Sequence, residues 1–182
     1  AKKVNDRRNT RHKIEHAQFV ARDDFPRFKL LGVIASMQPS HVLSDMRWAS
    51  KILGPQREYQ GYAWGSVLKN GGTLAFGTDY PVEVLSPMRG LYACLTREFE
   101  DGGPPGGWLP HEKISLAHAL RAYTWGSAYA EFEEHRKGTL APGKFADLIV
   151  LSQDITKASP RDVLRTEVLL TIVGGAIVYE KK

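Results

Sequence analysis

Three features of the sequence predict an α/β fold, in which part of a parallel β/α barrel is followed by a small β-structure. Three residues of metal-ligand type, His16, His41 and Asp79, each close a short strand-like run: Lys13-Ile14-Glu15-His16, Val33 to His41, and Leu74 to Asp79. Helix-like stretches separate these runs, which is the alternation of βα units around a parallel sheet. Beyond Gly138 the periodicity falls to two, the period of strands. In a β/α barrel, residues at the carboxyl ends of successive strands converge on one mouth although they lie far apart in the chain. The barrel reading therefore turns three scattered residues into one site.

The elements follow in order. After the run that ends at His16, Asp24 to Leu31 carries Phe25, Phe28 and Leu31 at helical spacing. It stops at Gly32, whose missing Cβ suits a helix end. A strand at Val33 to Met37 leads to His41. Tyr62 to Asn70 reads as a helix ended by Gly71-Gly72, and it feeds the strand Thr73 to Phe76, which delivers Gly77-Thr78-Asp79. Between His41 and Asp79 there is room for at most one further short βα unit, and no strand can be assigned to it. Met88, Leu91, Leu95 and Phe99 mark another helix, and Asp101 to Gly107, with four glycines and two prolines, can only be a loop. Ser115 caps a helix bearing Leu116, Ala119, Leu120 and Tyr123, and Trp125 to Phe132 is expected as a separate one. In the last region Ala146 to Leu151 reads as a buried strand. Val168 to Val173 then meets Ala176 to Tyr179 across Gly174-Gly175, a hairpin signal because primed turns need positive φ. The barrel part is assigned to residues 1–135 and the β-structure to 136–182.

Composition narrows the functional classes. With 182 residues and 42% hydrophobic content, the chain is long enough to bury a core of its own. Its net charge of +5 gathers partly in Lys2, Lys3, Arg7, Arg8, Arg11 and Lys13. No aromatic side chain is interleaved with that run, so the stacking platform of a single-strand binder is missing, and a nucleic-acid partner is not expected. No stretch approaches the ~20 apolar residues of a membrane span and no secretory signal is visible, so a cytoplasmic location without a membrane partner is expected. The single Cys94 excludes internal disulfides and thiolate metal clusters, leaving imidazole and carboxylate as the ligand set. There is no initiator Met, and Ala1 to Arg8 reads as the tail of a helix, so the chain is expected to begin inside a longer protein.

Five segments, in order, resemble the carboxy-terminal part of the amidohydrolase superfamily, most closely the amidohydrolase family 3 branch that includes N-substituted formamide deformylases. They are Arg11 to Gln18, Ser36 to His41, Phe76 to Val82, Ala119 to Thr124, and Gly138 to Leu151. The resemblance implies the carboxy-terminal half of a TIM-like (β/α)8 barrel, strands five to eight, joined to the carboxy-terminal part of a small β-sandwich. It also implies that His16 ends the fifth strand and binds a metal, and that His41 follows the sixth and binds the same ion. Asp79 would end the eighth strand as general base and, in many members, as a further ligand. Zinc is the expected ion, with one or two divalent metals in a complete protein. Strands in a sheet lie about 4.8 Å apart, so imidazoles on adjacent strand ends can both reach a zinc at about 2.0–2.1 Å.

The implied activity is metal-dependent hydrolysis of a carbon–nitrogen bond of amide type, non-peptide, in a small-molecule substrate. Arg57, in the loop after the sixth strand, is a candidate for binding a substrate carboxylate. The family's first strand supplies a His-x-His pair and its fourth usually a carboxylated lysine, and no His-x-His occurs in this sequence. Little or no activity is therefore expected of these residues alone, with pairing to the missing amino-terminal half, or self-association, covering the exposed edges. The alternative reading is a non-catalytic assembly or binding module that retains ligand residues without metal.

Overall fold

A computed structural model describes residues 9–182, and the helix tail expected at residues 1–8 lies outside them. The α/β class follows from a parallel three-stranded sheet in the order β1-β2-β3, with β1 at Lys13–Glu15, β2 at Ile34–Met37 and β3 at Thr73–Phe76. The register sets Glu15, Ser36 and Ala75 in one row, so the carboxyl ends of all three strands are level. Between them run α1 (Phe25–Leu31), α2 (His41–Leu53) and α3 (Trp64–Lys69). Strands five to eight were expected, but β2 pairs directly with β3. The room left between His41 and Asp79 is taken by helical segments.

Local sequence explains these elements. Pro26 stands in the first turn of α1, where its missing N–H costs nothing. Gly32 ends that helix at φ +65°, with Gly32 N–H donating to Lys29 and Val33 N–H to Phe28, the paired bonds of a Schellman motif. Phe25 and Phe28 face the core, as their spacing predicts, whereas Leu31 stays exposed. Of β2 and β3, Ile34, Ala35, Met37, Leu74, Ala75 and Phe76 are buried, the continuous apolar pattern of strands covered on both faces.

α4 (Pro87–Thr96) begins at Ser86, whose hydroxyl accepts from Met88 N–H, and ends at Arg97 in the left-handed conformation. Phe99, expected on this helix, lies beyond that stop. Arg97 is fully buried. Its guanidinium donates to the carbonyls of Trp108 (2.6 Å), Tyr62 (2.9 Å) and Gly61 (3.2 Å) and stacks over the Trp64 ring at 4.6 Å. Burial pulls this group down to about 10, opposed by the nearby Glu112 carboxylate. Trp64 and Trp108 are accordingly core residues.

α5 (Leu116–Arg121) is capped by Ser115, which accepts from His118 N–H. It does not stop before Trp125, as the sequence suggests. A π-turn at Ala122–Gly126 carries it into α6 (Ser127–Ala130), forming one bent helix against β3. The closeness of that packing requires glycine: a Cβ on Gly126 would stand 2.2 Å from the Leu74 carbonyl oxygen. Ser127 Oγ donates to the Phe76 carbonyl at 2.8 Å and fixes the same strand.

The second sheet is antiparallel, β4 (Leu148–Leu151), β5 (Val168–Val173) and β6 (Ala176–Glu180), and the expected hairpin turns on Gly174-Gly175 with φ +58° and +83°. The strand expected at Ala146–Leu151 starts at Leu148 and is half-exposed rather than buried, because no second layer covers it among the described residues. The link between β4 and β5 carries α7 (Pro160–Leu164), which packs on α4. Val163 and Ile155 bury themselves in the main core there and anchor the small sheet.

Candidate metal centre

Each of the three ligand-type residues stands just past the end of a strand in the parallel sheet, and the level register brings them to one edge. His16 follows β1 at the centre of a tight turn, with φ +66° and Ala17 N–H donating to the Glu15 carbonyl across it at 2.9 Å. Asp79 follows β3 at φ +59°, in a turn closed by Val82 N–H on the Asp79 carbonyl. Left-handed backbone is uncommon for residues with a Cβ and costs about 1–3 kcal/mol where it is imposed. Here it aims both side chains across the sheet edge. Pairing between β2 and β3 runs on past the strands through Gly77 N–H on Met37, which brings the Gly77-Thr78-Asp79 segment beside the turn Gln38-Pro39-Ser40. His41 opens α2 after that turn, its N–H donating to the Gln38 carbonyl.

One ligand atom from each of His16, His41 and Asp79 lies within 4.8 Å of the others. Asp79 Oδ2 is 3.7 Å from His41 Nε2 and 4.0 Å from His16 Nδ1, and the two imidazoles stack with centroids 5.9 Å apart. The His41 side chain is 9% exposed, those of His16 and Asp79 are 48% and 36%, so the cluster has a buried floor and an open side. His41 Nε2 is buried and has no hydrogen-bond partner among the described residues. A buried polar nitrogen left unpaired costs about 1–3 kcal/mol.

A zinc ion would answer that deficit. Bonds of about 2.0–2.1 Å in tetrahedral geometry set ligand atoms about 3.4 Å apart, a modest contraction of the spacing found here. Two imidazoles and a carboxylate form a donor set of the catalytic kind, which leaves a fourth position open. The residues present fit the group.

Arg57, the candidate substrate ligand, hydrogen-bonds elsewhere: it is exposed, and its Nε donates to the Leu53 carbonyl at 3.0 Å. Sequence reasoning passed over Gln38. This residue is 8% exposed, and its Oε1 is 3.0 Å from His16 Nδ1. Its signal was its place, directly after a buried strand and three residues before the candidate ligand His41. His111, His118 and His135 lie away from the cluster; His111 and His135 are well exposed beside Glu112 and Glu134, and His118 contacts its own cap Ser115. Among the described residues no helix is long and apolar enough to cross a membrane.

The chain matches the amidohydrolase family over residues 1–179. It is 37% identical over 180 residues to the protein LONG AFTER FAR-RED 3 of Arabidopsis thaliana, which covers 97% of this chain and 30% of that protein. To the N-substituted formamide deformylase of Arthrobacter pascens it is 30% identical over 116 residues, 64% of this chain and 21% of the enzyme. Among solved structures, a metal-dependent hydrolase from Pyrococcus horikoshii superposes with a TM-score of 0.71 at 30% identity, covering 81% of this chain and 30% of that one. The chain thus spans less than a third of the length of these relatives.

Proposed function

Because the chain belongs to the amidohydrolase family, we propose that His16, His41 and Asp79 are its contribution to the divalent-metal centre of a hydrolase acting on non-peptide carbon–nitrogen bonds of amide type. The observation that carries this reading is the buried, unpartnered Nε2 of His41, facing a carboxylate and a second imidazole within ligand distance. His16 and His41 are assigned as neutral nitrogen ligands, and Asp79 as ligand and proton carrier. When bound, zinc supplies the Lewis acidity that makes water a nucleophile near neutral pH and polarises a carbonyl. Asp79, whose Oδ2 lies 3.7 Å from His41 Nε2 and 4.0 Å from His16 Nδ1, would accept a proton from the attacking water and return it to the leaving nitrogen. An amine leaves poorly unless protonated, which is why the reaction needs a positioned acid as well as an ion.

In this reading the parallel sheet over 1–135 is part of a β/α barrel and the sheet over 136–182 part of a β-sandwich. The His-x-His pair and the carboxylated lysine that the family resemblance implies have no counterpart among the three residues of the cluster. Turnover by these 182 residues alone is therefore expected to be slight, and the remaining length of the relatives, or self-association, is expected to complete the site. Arg57 would reach a substrate carboxylate only after leaving the Leu53 carbonyl.

Metal analysis of the purified chain after separate incubations with zinc, nickel and manganese, each followed by desalting, tests the proposal. One zinc per chain that is lost in His41→Ala and in His16→Ala supports it. A wild-type chain that retains no zinc, nickel or manganese overturns it and leaves the non-catalytic module in its place.

A further inference from the structure

The His16 nitrogen that faces the cluster is already engaged. Nδ1 is the His16 atom 4.0 Å from Asp79 Oδ2, and the same Nδ1 stands 3.0 Å from Gln38 Oε1. An imidazole nitrogen has one in-plane position, which holds either a proton or a lone pair. If the Gln38 oxygen accepts, Nδ1 carries the proton and has no lone pair to give. If the amide is turned over, its NH2 occupies that lone pair instead. In both orientations Gln38 takes the site a metal would need on His16 Nδ1, the ring nitrogen nearest Asp79.

The surroundings make this contact more than a chance surface pairing. Gln38 is 8% exposed, and its backbone is held on both sides, by Gly77 N–H on the Met37 carbonyl and by His41 N–H on its own carbonyl. Pro39 fixes the next φ. Its side chain is therefore the movable part, while the strand end that carries it is rigid. Gln38 Oε1 at 3.0 Å and Asp79 Oδ2 at 4.0 Å both stand close to His16 Nδ1.

Resting on the metal-centre reading above, we propose that Gln38 is a latch on that centre. It caps His16 Nδ1 and must swing away, with the ring proton moving to Nε2 where the amide oxygen accepts, before that nitrogen can bind an ion. A residue that merely oriented His16 for the ion would act in the opposite sense, because its removal would weaken binding.

Isothermal titration of zinc chloride into the full chain separates the two roles. Gln38→Leu removes the cap at similar side-chain length, and Gln38→Ala serves as the second variant, each checked by thermal melting for an intact fold. A latch worth one net hydrogen bond predicts a Kd lower by about two- to tenfold in both variants. Nitrogen-15 spectra of the metal-free chain give a readout independent of the ion: the His16 Nδ1 resonance should move in Gln38→Leu and the His41 resonances should not. Zinc affinity unchanged or weakened in both variants, with wild type binding one zinc, overturns the latch and leaves the metal centre standing. If neither wild type nor variants bind zinc, the metal centre falls and the latch with it, even where the Nδ1 resonance moves.

Discussion

In the parallel sheet Ile34, Ala35 and Met37 are at most 1% exposed, whereas in the antiparallel sheet Ile177 and Val178 are 60% and 62% exposed, although both runs are equally apolar. Apolar content therefore does not distinguish a covered strand from an open one; what decides is whether another layer packs on it. β3 has α3, the π-turn and α6 against it, Ile34 of β2 clusters with Ala130 of α6, and the outward ends of these strands can carry a site on a rigid base. β6 is exposed along its whole length and is held to the rest of the molecule through Val163 and Ile155 in the link before it. The three proposed ligands, His16, His41 and Asp79, all stand at the ends of the first kind of sheet.

That contrast can be broken most forcefully at Arg97. Arg97→Ala leaves three buried carbonyls without a donor and empties the space between Trp64 and Trp108, and a loss of about 3–5 kcal/mol is expected in urea unfolding. A loss under 1 kcal/mol would mean that the core of the first region does not depend on this cation. Val163→Ala should cost about 2 kcal/mol, and because the residue joins the two regions, limited proteolysis should release the carboxy-terminal sheet first. Simultaneous cleavage throughout would instead mark a single cooperative unit.

A smaller effect is pH-dependent. Arg11 binds Glu134 with two hydrogen bonds, at 2.8 and 2.6 Å, and holds its carboxyl down to about 2. A depressed acid contributes stability that is complete above the ordinary carboxylate value near 4.5 and is lost as pH falls from there towards 2. Melting of wild type should therefore decline over that window by about 1–2 kcal/mol more than melting of Glu134→Gln. Parallel curves would show that the pair contributes nothing. Last, Ile177→Thr on the open sheet should change stability by no more than ~0.5 kcal/mol. A larger loss would show that something covers this face in solution.

Much of the site could be read from the chain because its parts are tied to strand ends. His16, His41 and Asp79 each close a run, and a parallel register leaves such residues little choice but to meet. α1 with its Gly32 stop and the Gly174-Gly175 hairpin were legible for a similar reason, since each depends on a backbone conformation that glycine alone adopts freely. The half-exposure of Leu148–Leu151 was not legible, because burial belongs to the neighbour and not to the strand. Nor was the π-turn at Ala122–Gly126, which one extra residue per turn creates without any breaker in the sequence. Gln38 and Arg97 escaped notice because their roles rest on partners distant in sequence, His16 for one and the loop carbonyls for the other.

The approach of Gly126 to the Leu74 carbonyl has a reach beyond its own helix. That helix leans on the strand that presents Asp79, so a methyl group at position 126 would act as a wedge whose displacement emerges at the opposite end of the strand. A chain altered only there would keep every ligand and yet hold them out of reach of one another. Defects of the proposed centre can therefore originate in a buried glycine between helix and strand, in a residue that never meets an ion.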